Sequence, residues 1–131
     1  MTKVLIIEDD ELLREVYSTK LKMEGFNVET AVNGQEGLDK ARTLEPDVIL
    51  VDMLMPKMTG LEFLQAYRPH ALKRRVTTIV ISNKSSPKDI NQAKTMGARD
   101  YLIKSQLTPH EIVTKVRRYL QEEPGATSDA A

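Results

Sequence analysis

Cysteine is absent from the 131 residues. A disulfide framework and a thiolate metal site are therefore excluded, and the composition suits a reducing cytosol, the cytoplasmic location expected here. Histidine occurs twice, as His70 and His110, without ligand spacing, so zinc is not expected. No apolar run approaches the length of a membrane span, and Met1-Thr2-Lys3 enters a strand candidate too directly for a signal peptide. Net charge is missing as well: Lys+Arg and Asp+Glu number 19 each, so overall charge names no partner. The distribution says more. Residues 1–67 carry 7 basic and 13 acidic side chains, and residues 68–118 carry 12 and 3, which suggests two faces with different tasks.

What is present is a series of short apolar runs. The most informative is Asp47-Val48-Ile49-Leu50-Val51-Asp52, bounded by Pro46 and Pro56. Four apolar residues, three of them β-branched, predict a strand buried on both faces, hence a parallel sheet covered by helices. Lys3–Ile7, Val76–Ile81 and Arg99–Ile103 read the same way, and Phe26–Ala31 alternates like an edge strand. Helical spacing joins Leu13, Val16, Tyr17 and Leu21, then Leu38, Ala41 and Leu44, then Leu61, Phe63, Leu64 and Tyr67. A fourth helix opens at Ser86-Pro87-Lys88-Asp89 and places Ile90, Ala93 and Met96 inward. A fifth opens at the capping box Thr108-Pro109-His110-Glu111. Gly25 and Gly97 mark helix ends. His70–Arg75 reads as a solvated basic connector. One domain over 1–122 is expected, with 123–131 as a flexible tail or the start of a linker.

Five strands alternating with five helices predict an α/β, flavodoxin-like (βα)5 domain: a five-stranded parallel sheet of order 2-1-3-4-5 with helices on both faces. In that order the acids after strand 1, Glu8-Asp9-Asp10-Glu11, lie across the switch-point crevice from Asp52. Ser82 follows the adjacent strand 4, and Lys104 the strand beyond. Several carboxylates this close repel unless a cation joins them, and oxygen ligands without sulfur or imidazole favour Mg²⁺ before Ca²⁺. Lys104 and Ser82 are then left to hold an anion. Metal, ammonium and hydroxyl around a carboxylate suit phosphoryl transfer, with Asp52 as nucleophile. Each part has a plainer reading: Asp10 as a helix N-cap, Ser82 as a loop hydroxyl, Lys104 as a solvated strand end. After Asp52 runs Met53-Leu54-Met55-Pro56-Lys57-Met58-Thr59-Gly60, a loop with φ fixed at Pro56 and a hinge at Gly60.

Val4–Asp9, Asp52–Gly60, Ile81-Ser82 and Tyr101–Lys104 together resemble the receiver domain of two-component response regulators, over roughly residues 3–122. The resemblance implies that Asp52 accepts a phosphoryl group from a sensor histidine kinase or a phosphotransfer protein. It implies Mg²⁺ held by Asp9, Asp52 and the main-chain carbonyl of Leu54, with Glu8 helping through water. Ser82 and Lys104 would hold the phosphoryl oxygens, and Ser82 with Tyr101 would form a switch pair, the ring turning inward. The plainer reading of Tyr101 is a half-exposed strand aromatic. A downstream protein would bind helix 4, strand 5 and helix 5, where Lys88, Lys94, Arg99, Lys115, Arg117 and Arg118 lie. Direct contact with nucleic acid or membrane is not expected, nor is enzymatic activity beyond the domain's own phosphorylation and dephosphorylation.

Two positions depart from the family pattern. Asn83 replaces the usual small residue after the switch hydroxyl, and Ser105 replaces the proline after the lysine. That peptide tends to be cis in the family, at a cost of ~2.5–4 kcal/mol before a residue other than proline. Either Lys104-Ser105 is trans or the bond is strained. Leu54 and Lys84 flank the approach of a hydrolytic water; neither can accept its proton, which predicts slow loss of the phosphoryl group. Other classes fit less well. A flavodoxin-like cofactor site would meet repulsion from Glu8–Glu11, and a haloacid dehalogenase phosphatase would need an acid at Leu54. A phosphorylation-independent receiver-like adaptor remains the rival function.

Overall fold

In the computed structural model the apolar runs form the expected strands: β1 (Lys3–Ile7), β2 (Asn27–Ala31), β3 (Val48–Asp52), β4 (Thr77–Ser82) and β5 (Asp100–Ile103). The structure describes residues 2–83 and 86–121. The expectations for Lys84 and for the tail 123–131 lie outside the described residues. The strands pair in parallel in the order β2-β1-β3-β4-β5. Between and after them run α1 (Glu11–Met23), α2 (Gly34–Leu44), α3 (Gly60–Tyr67), α4 (Pro87–Thr95) and α5 (Pro109–Gln121).

Strand alternation sorts the core into two clusters. Leu5, Ile7, Ile49, Val51, Val80 and Tyr101 face α2, α3 and α4, packing with Leu38, Phe63, Leu64 and Ala93. Val4, Ile6, Val48, Leu50, Ile79, Ile81 and Leu102 face α1 and α5, packing with Tyr17, Leu21, Ile112 and Val116. Because β1, β3 and β4 are covered on both faces, their buried positions are apolar apart from Thr77 and Thr78 at the start of β4 and the strand-end residues Asp52 and Ser82.

The helix starts follow their caps. Asp10 accepts a hydrogen bond from Leu13 N at 3.0 Å, and Ser86 accepts one from Asp89 N at 3.1 Å. Thr108 and Glu111 close the reciprocal box at 2.9 and 3.1 Å. A second box, Thr59 with Glu62 at 2.9 and 3.2 Å, opens α3. Its Thr-x-x-Glu pattern stood in the sequence where the loop after Asp52 ends. Gly25 (φ 96) and Gly97 (φ 108) end α1 and α4 in conformations that favour glycine.

Three expectations need correction. Val16 is 36% exposed, on an outer stripe of α1 with Leu12 and Met23, while Tyr17 and Leu21 are buried. Gly60 is not a hinge: it opens α3, and a Cβ there would meet the carbonyl oxygen of Asp52 at 2.8 Å and Met53 Cα at 3.0 Å. It is glycine because α3 starts against the backbone of the acceptor. The connector after Pro69 is not simply solvated. Arg74 donates to Pro46 O at 2.8 Å and lies 3.6 Å from Glu45, and Arg75 donates to Tyr119 O at 3.1 Å.

Candidate functional site

The carboxyl ends of β1, β3 and β5 deliver Glu8, Asp52 and Lys104 to one place. By strand alternation all three continue the face that packs on α1 and α5. Lys104 Nζ lies 2.8 Å from Glu8 Oε1 and 3.3 Å from Asp52 Oδ1. Glu8 is fully buried and Asp52 only 4% exposed. Glu8 Oε2 accepts from Asp10 N at 3.1 Å, whereas Oε1 is close to the ammonium without the alignment of a hydrogen bond. This buried acceptor thus faces one cation and no aligned hydrogen bond. Asp9, on the exposed side, completes a group of carboxylates with Glu8 and Asp52 whose candidate ligand oxygens all lie within 4.8 Å of one another.

The electrostatics follow from that crowding. Burial first, then the Glu8 carboxylate and Asp9, push the Asp52 carboxyl up from 3.8 to about 7, against the opposing pull of Lys104. Burial acts to lower the Lys104 ammonium, yet Glu8 and Asp52 outweigh it and hold the group above its ordinary value. Asp10 serves as the α1 cap, the plainer of its two readings. Lys104 is not a solvated strand end, since only 8% of its side chain is exposed.

Ser105 does not deflect Lys104. No peptide among the described residues is cis, so Lys104-Ser105 is trans, and a 3₁₀ turn over Lys104–Gln106 carries the chain onward. Ser82 is buried at the end of β4, next to Asp52 through the register Asp52↔Ile81 and the 2.8 Å bond from Met53 N to Ile81 O. Tyr101 is buried as well, at 8% exposure, among the residues that meet α4, so the half-exposed reading fails. Val80 is the cross-strand partner of Tyr101, and Ser82 lies two residues further along β4. Ser82 and Tyr101 therefore share the sheet face opposite Glu8, Asp52 and Lys104.

The loop after Asp52 is pinned from below. Met53 and Met55 are buried and Met58 packs against the same cluster, close enough to Gly34 that a Cβ there would meet Met58 Cβ at 2.6 Å. Leu54 between them is 57% exposed, its amide 3.4 Å from Asp52 Oδ1. Asn83 is exposed.

Two further residues border the site: Tyr17, read in the sequence only as part of the apolar face of α1, and Arg14, not singled out there. Tyr17 lies within reach of the charges of Lys104, Glu8 and Asp52, although burial is the main reason its phenol is raised. Arg14 donates to Glu8 O at 2.9 Å and to Asp9 O at 3.4 Å. Arginine five residues after an acid pair was the available signal. On the basic side, Lys88, Lys94 and Arg118 are exposed, and the Arg99 guanidinium stacks over Tyr119 at 4.5 Å. Arg117 instead turns to α1, pairing with Glu24 at 2.9 Å and covering the Phe26 ring.

No helix among the described residues is long and apolar enough to cross a membrane. The chain matches the response regulator receiver domain over residues 4–117. It is 33% identical to the response regulator ArlR of Staphylococcus aureus over 124 residues, 95% of this chain and 55% of that protein. It thus spans about half the length of the curated relatives it matches. Among solved structures it is similar to the chemotaxis protein CheY4 of Vibrio cholerae, 34% identical with a TM-score of 0.82, covering 90% of this chain and 98% of the other. A CheY-like receiver domain protein of Methanospirillum hungatei is 27% identical with a TM-score of 0.84, covering 92% and 94%. With strand order, acid cluster and lysine in agreement, the chain belongs to the response regulator receiver domain family.

Proposed function

We propose that this receiver accepts a phosphoryl group on Asp52 from the phosphohistidine of a sensor histidine kinase or phosphotransfer protein, and requires Mg²⁺ to do so. What supports the reading most is the convergence of Glu8, Asp9 and Asp52 within 4.8 Å, with Lys104 at 3.3 Å from the acceptor. The donor set fits a hard cation: every candidate ligand is an oxygen, and Glu8 Oε1 is buried and short of hydrogen bonds. Asp9, Asp52 and the main-chain carbonyl of Leu54 would hold the metal, with Glu8 contributing through water. Bound there, Mg²⁺ supplies charge neutralisation for the equatorial phosphoryl oxygens.

The remaining work belongs to the chain. An Asp52 carboxylate oxygen bonds to phosphorus as the phosphorus–nitrogen bond of the donor breaks. The electron pair leaves with the imidazole, which takes a proton. Lys104 moves its attraction from the carboxylates to the incoming phosphoryl oxygens, and Ser82 donates its hydroxyl to them. Movement of Ser82 alters the packing of Tyr101, its neighbour on the α4 face, and so the surface formed by α4, β5 and α5. Lys88, Lys94 and Arg118 make that surface basic, which favours a partner presenting acids. The module acts in the cytoplasm and catalyses its own phosphorylation and dephosphorylation.

The test is intact-mass labelling with acetyl phosphate or phosphoramidate. One phosphoryl group is expected in the presence of Mg²⁺ and none with chelator or in Asp52→Asn. Unchanged labelling of Asp52→Asn removes the assignment. No labelling of wild type, with partner binding unaffected by Asp52→Asn, would establish the phosphorylation-independent adaptor instead.

A further inference from the structure

Acid clusters that await a cation have a difficulty before it arrives: the carboxylates must be held together while they repel. Lys104 relieves this only by occupying ligand oxygens, since it approaches Glu8 Oε1 and Asp52 Oδ1 directly. Arg14 relieves it in another way. From the first turns of α1 its guanidinium reaches back to the carbonyl oxygens of Glu8 and Asp9 at 2.9 and 3.4 Å. One positive charge is placed beside the acids, and no carboxylate oxygen is taken. The same two bonds fix the peptide planes on either side of the Asp9 Cα, and so the direction in which its side chain leaves. The clamp is itself anchored, because Arg14 N donates to Asp10 O at 2.9 Å and Asp10 caps the same helix.

We propose that Arg14 is a positioning residue for the acid loop, holding Glu8 and Asp9 in the arrangement that binds Mg²⁺ by clamping their carbonyls to α1. The proposal rests on the Mg²⁺ reading above and assigns a residue that bonds only main-chain carbonyls, not a carboxylate oxygen of Glu8, Asp9 or Asp52. Arginine suits the task because its Nη1, held in the plane of the guanidinium, donates to both successive carbonyls, whereas the freely rotating lysine ammonium fixes neither peptide plane as firmly.

Mg²⁺ alone, titrated calorimetrically into wild type, Arg14→Met and Arg14→Lys, tests it. Both replacements are good helix formers and keep an unbranched stem. Arg14→Met is expected to weaken Mg²⁺ binding about tenfold, the lower end of what losing a ligand-orienting contact costs. Arg14→Lys should weaken it less, in the same direction. Labelling at Asp52 should fall in both at limiting Mg²⁺ and recover at saturating Mg²⁺, a rescue that loss of fold would not permit. Mg²⁺ affinity within twofold of wild type in the folded variants overturns the clamp while leaving the metal site standing. If Arg14→Met does not fold, unchanged affinity in Arg14→Lys overturns it alone. Absence of Mg²⁺ binding by wild type overturns both readings.

Discussion

Replacing Asp52 by asparagine removes a buried charge crowded by other carboxylates while keeping its volume, so the metal-free variant should be more stable than wild type above neutral pH. In the native state the carboxyl is raised from 3.8 to about 7, a value that already includes the attraction of Lys104. The folded chain therefore holds this proton longer than the unfolded chain. The stability it contributes is fully present below 3.8 and is lost as pH rises to about 7. At about 1.4 kcal/mol per pH unit, the loss has a ceiling of roughly 4 kcal/mol. Asp9 is exposed, so water reaches the cluster and screening lowers the figure to about 1–3 kcal/mol. Lys104 keeps Glu8 at 2.8 Å in the variant, so the ammonium is not stranded. Thermal and urea unfolding with chelator at pH 8 should then show Asp52→Asn gaining roughly 5–10 °C for a domain of this size. The gain should shrink toward pH 4, and saturating Mg²⁺ should narrow it by stabilising wild type. A variant no more stable than wild type at pH 8, or a gain independent of pH, would refute the account of the crowded carboxylates.

Gly60→Ala sets a Cβ at 2.8 Å from the Asp52 carbonyl and 3.0 Å from Met53 Cα, both backbone atoms that cannot rotate away. It should cost about 1–3 kcal/mol in urea unfolding and reduce labelling of Asp52; wild-type values in both would show that α3 has slack there. Leu54 stands 57% exposed beside the acceptor and offers no group to orient a water. Leu54→Asn should therefore speed loss of the phosphoryl group by up to roughly tenfold, about 1.4 kcal/mol of barrier, followed as decay of the labelled mass after donor removal. An unchanged or slower decay would show that water approaches by another path.

The strands were legible because burial on both faces leaves runs of apolar residues, Val4–Ile7, Val48–Val51 and Ile79–Ile81, at the heart of β1, β3 and β4. Alternation with helices implied a parallel sheet, and the doubly wound order 2-1-3-4-5 brings Glu8, Asp52 and Lys104 to one end of it. The apolar spacing of α1 was less decisive. Leu13, Tyr17 and Leu21 form one stripe and Leu12, Val16 and Met23 another, and only the position of the sheet decides which is buried. Contacts over long sequence separations had no local signature. Arg117 meets Glu24 across 93 residues, a pairing that requires α1 and α5 to lie on the same face. Tyr101 posed a problem of another kind: its burial depends on how closely α4 approaches β5, which no pattern within either element specifies.

Under the proposed reading, alternation along the strands also explains how one site would both receive a charge and report it. Glu8, Asp52 and Lys104 continue the face of Ile6, Leu50 and Leu102, over the α1 and α5 core, while Ser82 and Tyr101 continue the face of Val80, toward α4. The two groups meet where β4 runs beside β3 and β5, at the pairing of Asp52 with Ile81 and of Ser82 with Ile103, the residue before Lys104. Under the proposed reading, a phosphoryl group on Asp52 lies at the sheet edge where both faces are within reach. Lys104 holds it from one face and Ser82 from the other. Displacement of Ser82 is then felt by Tyr101 through close packing, since interiors this dense shift between discrete arrangements rather than yield gradually. Had Ser82 stood one residue earlier or later on β4, it would have faced α5, and the charge at Asp52 would have had no short route to α4.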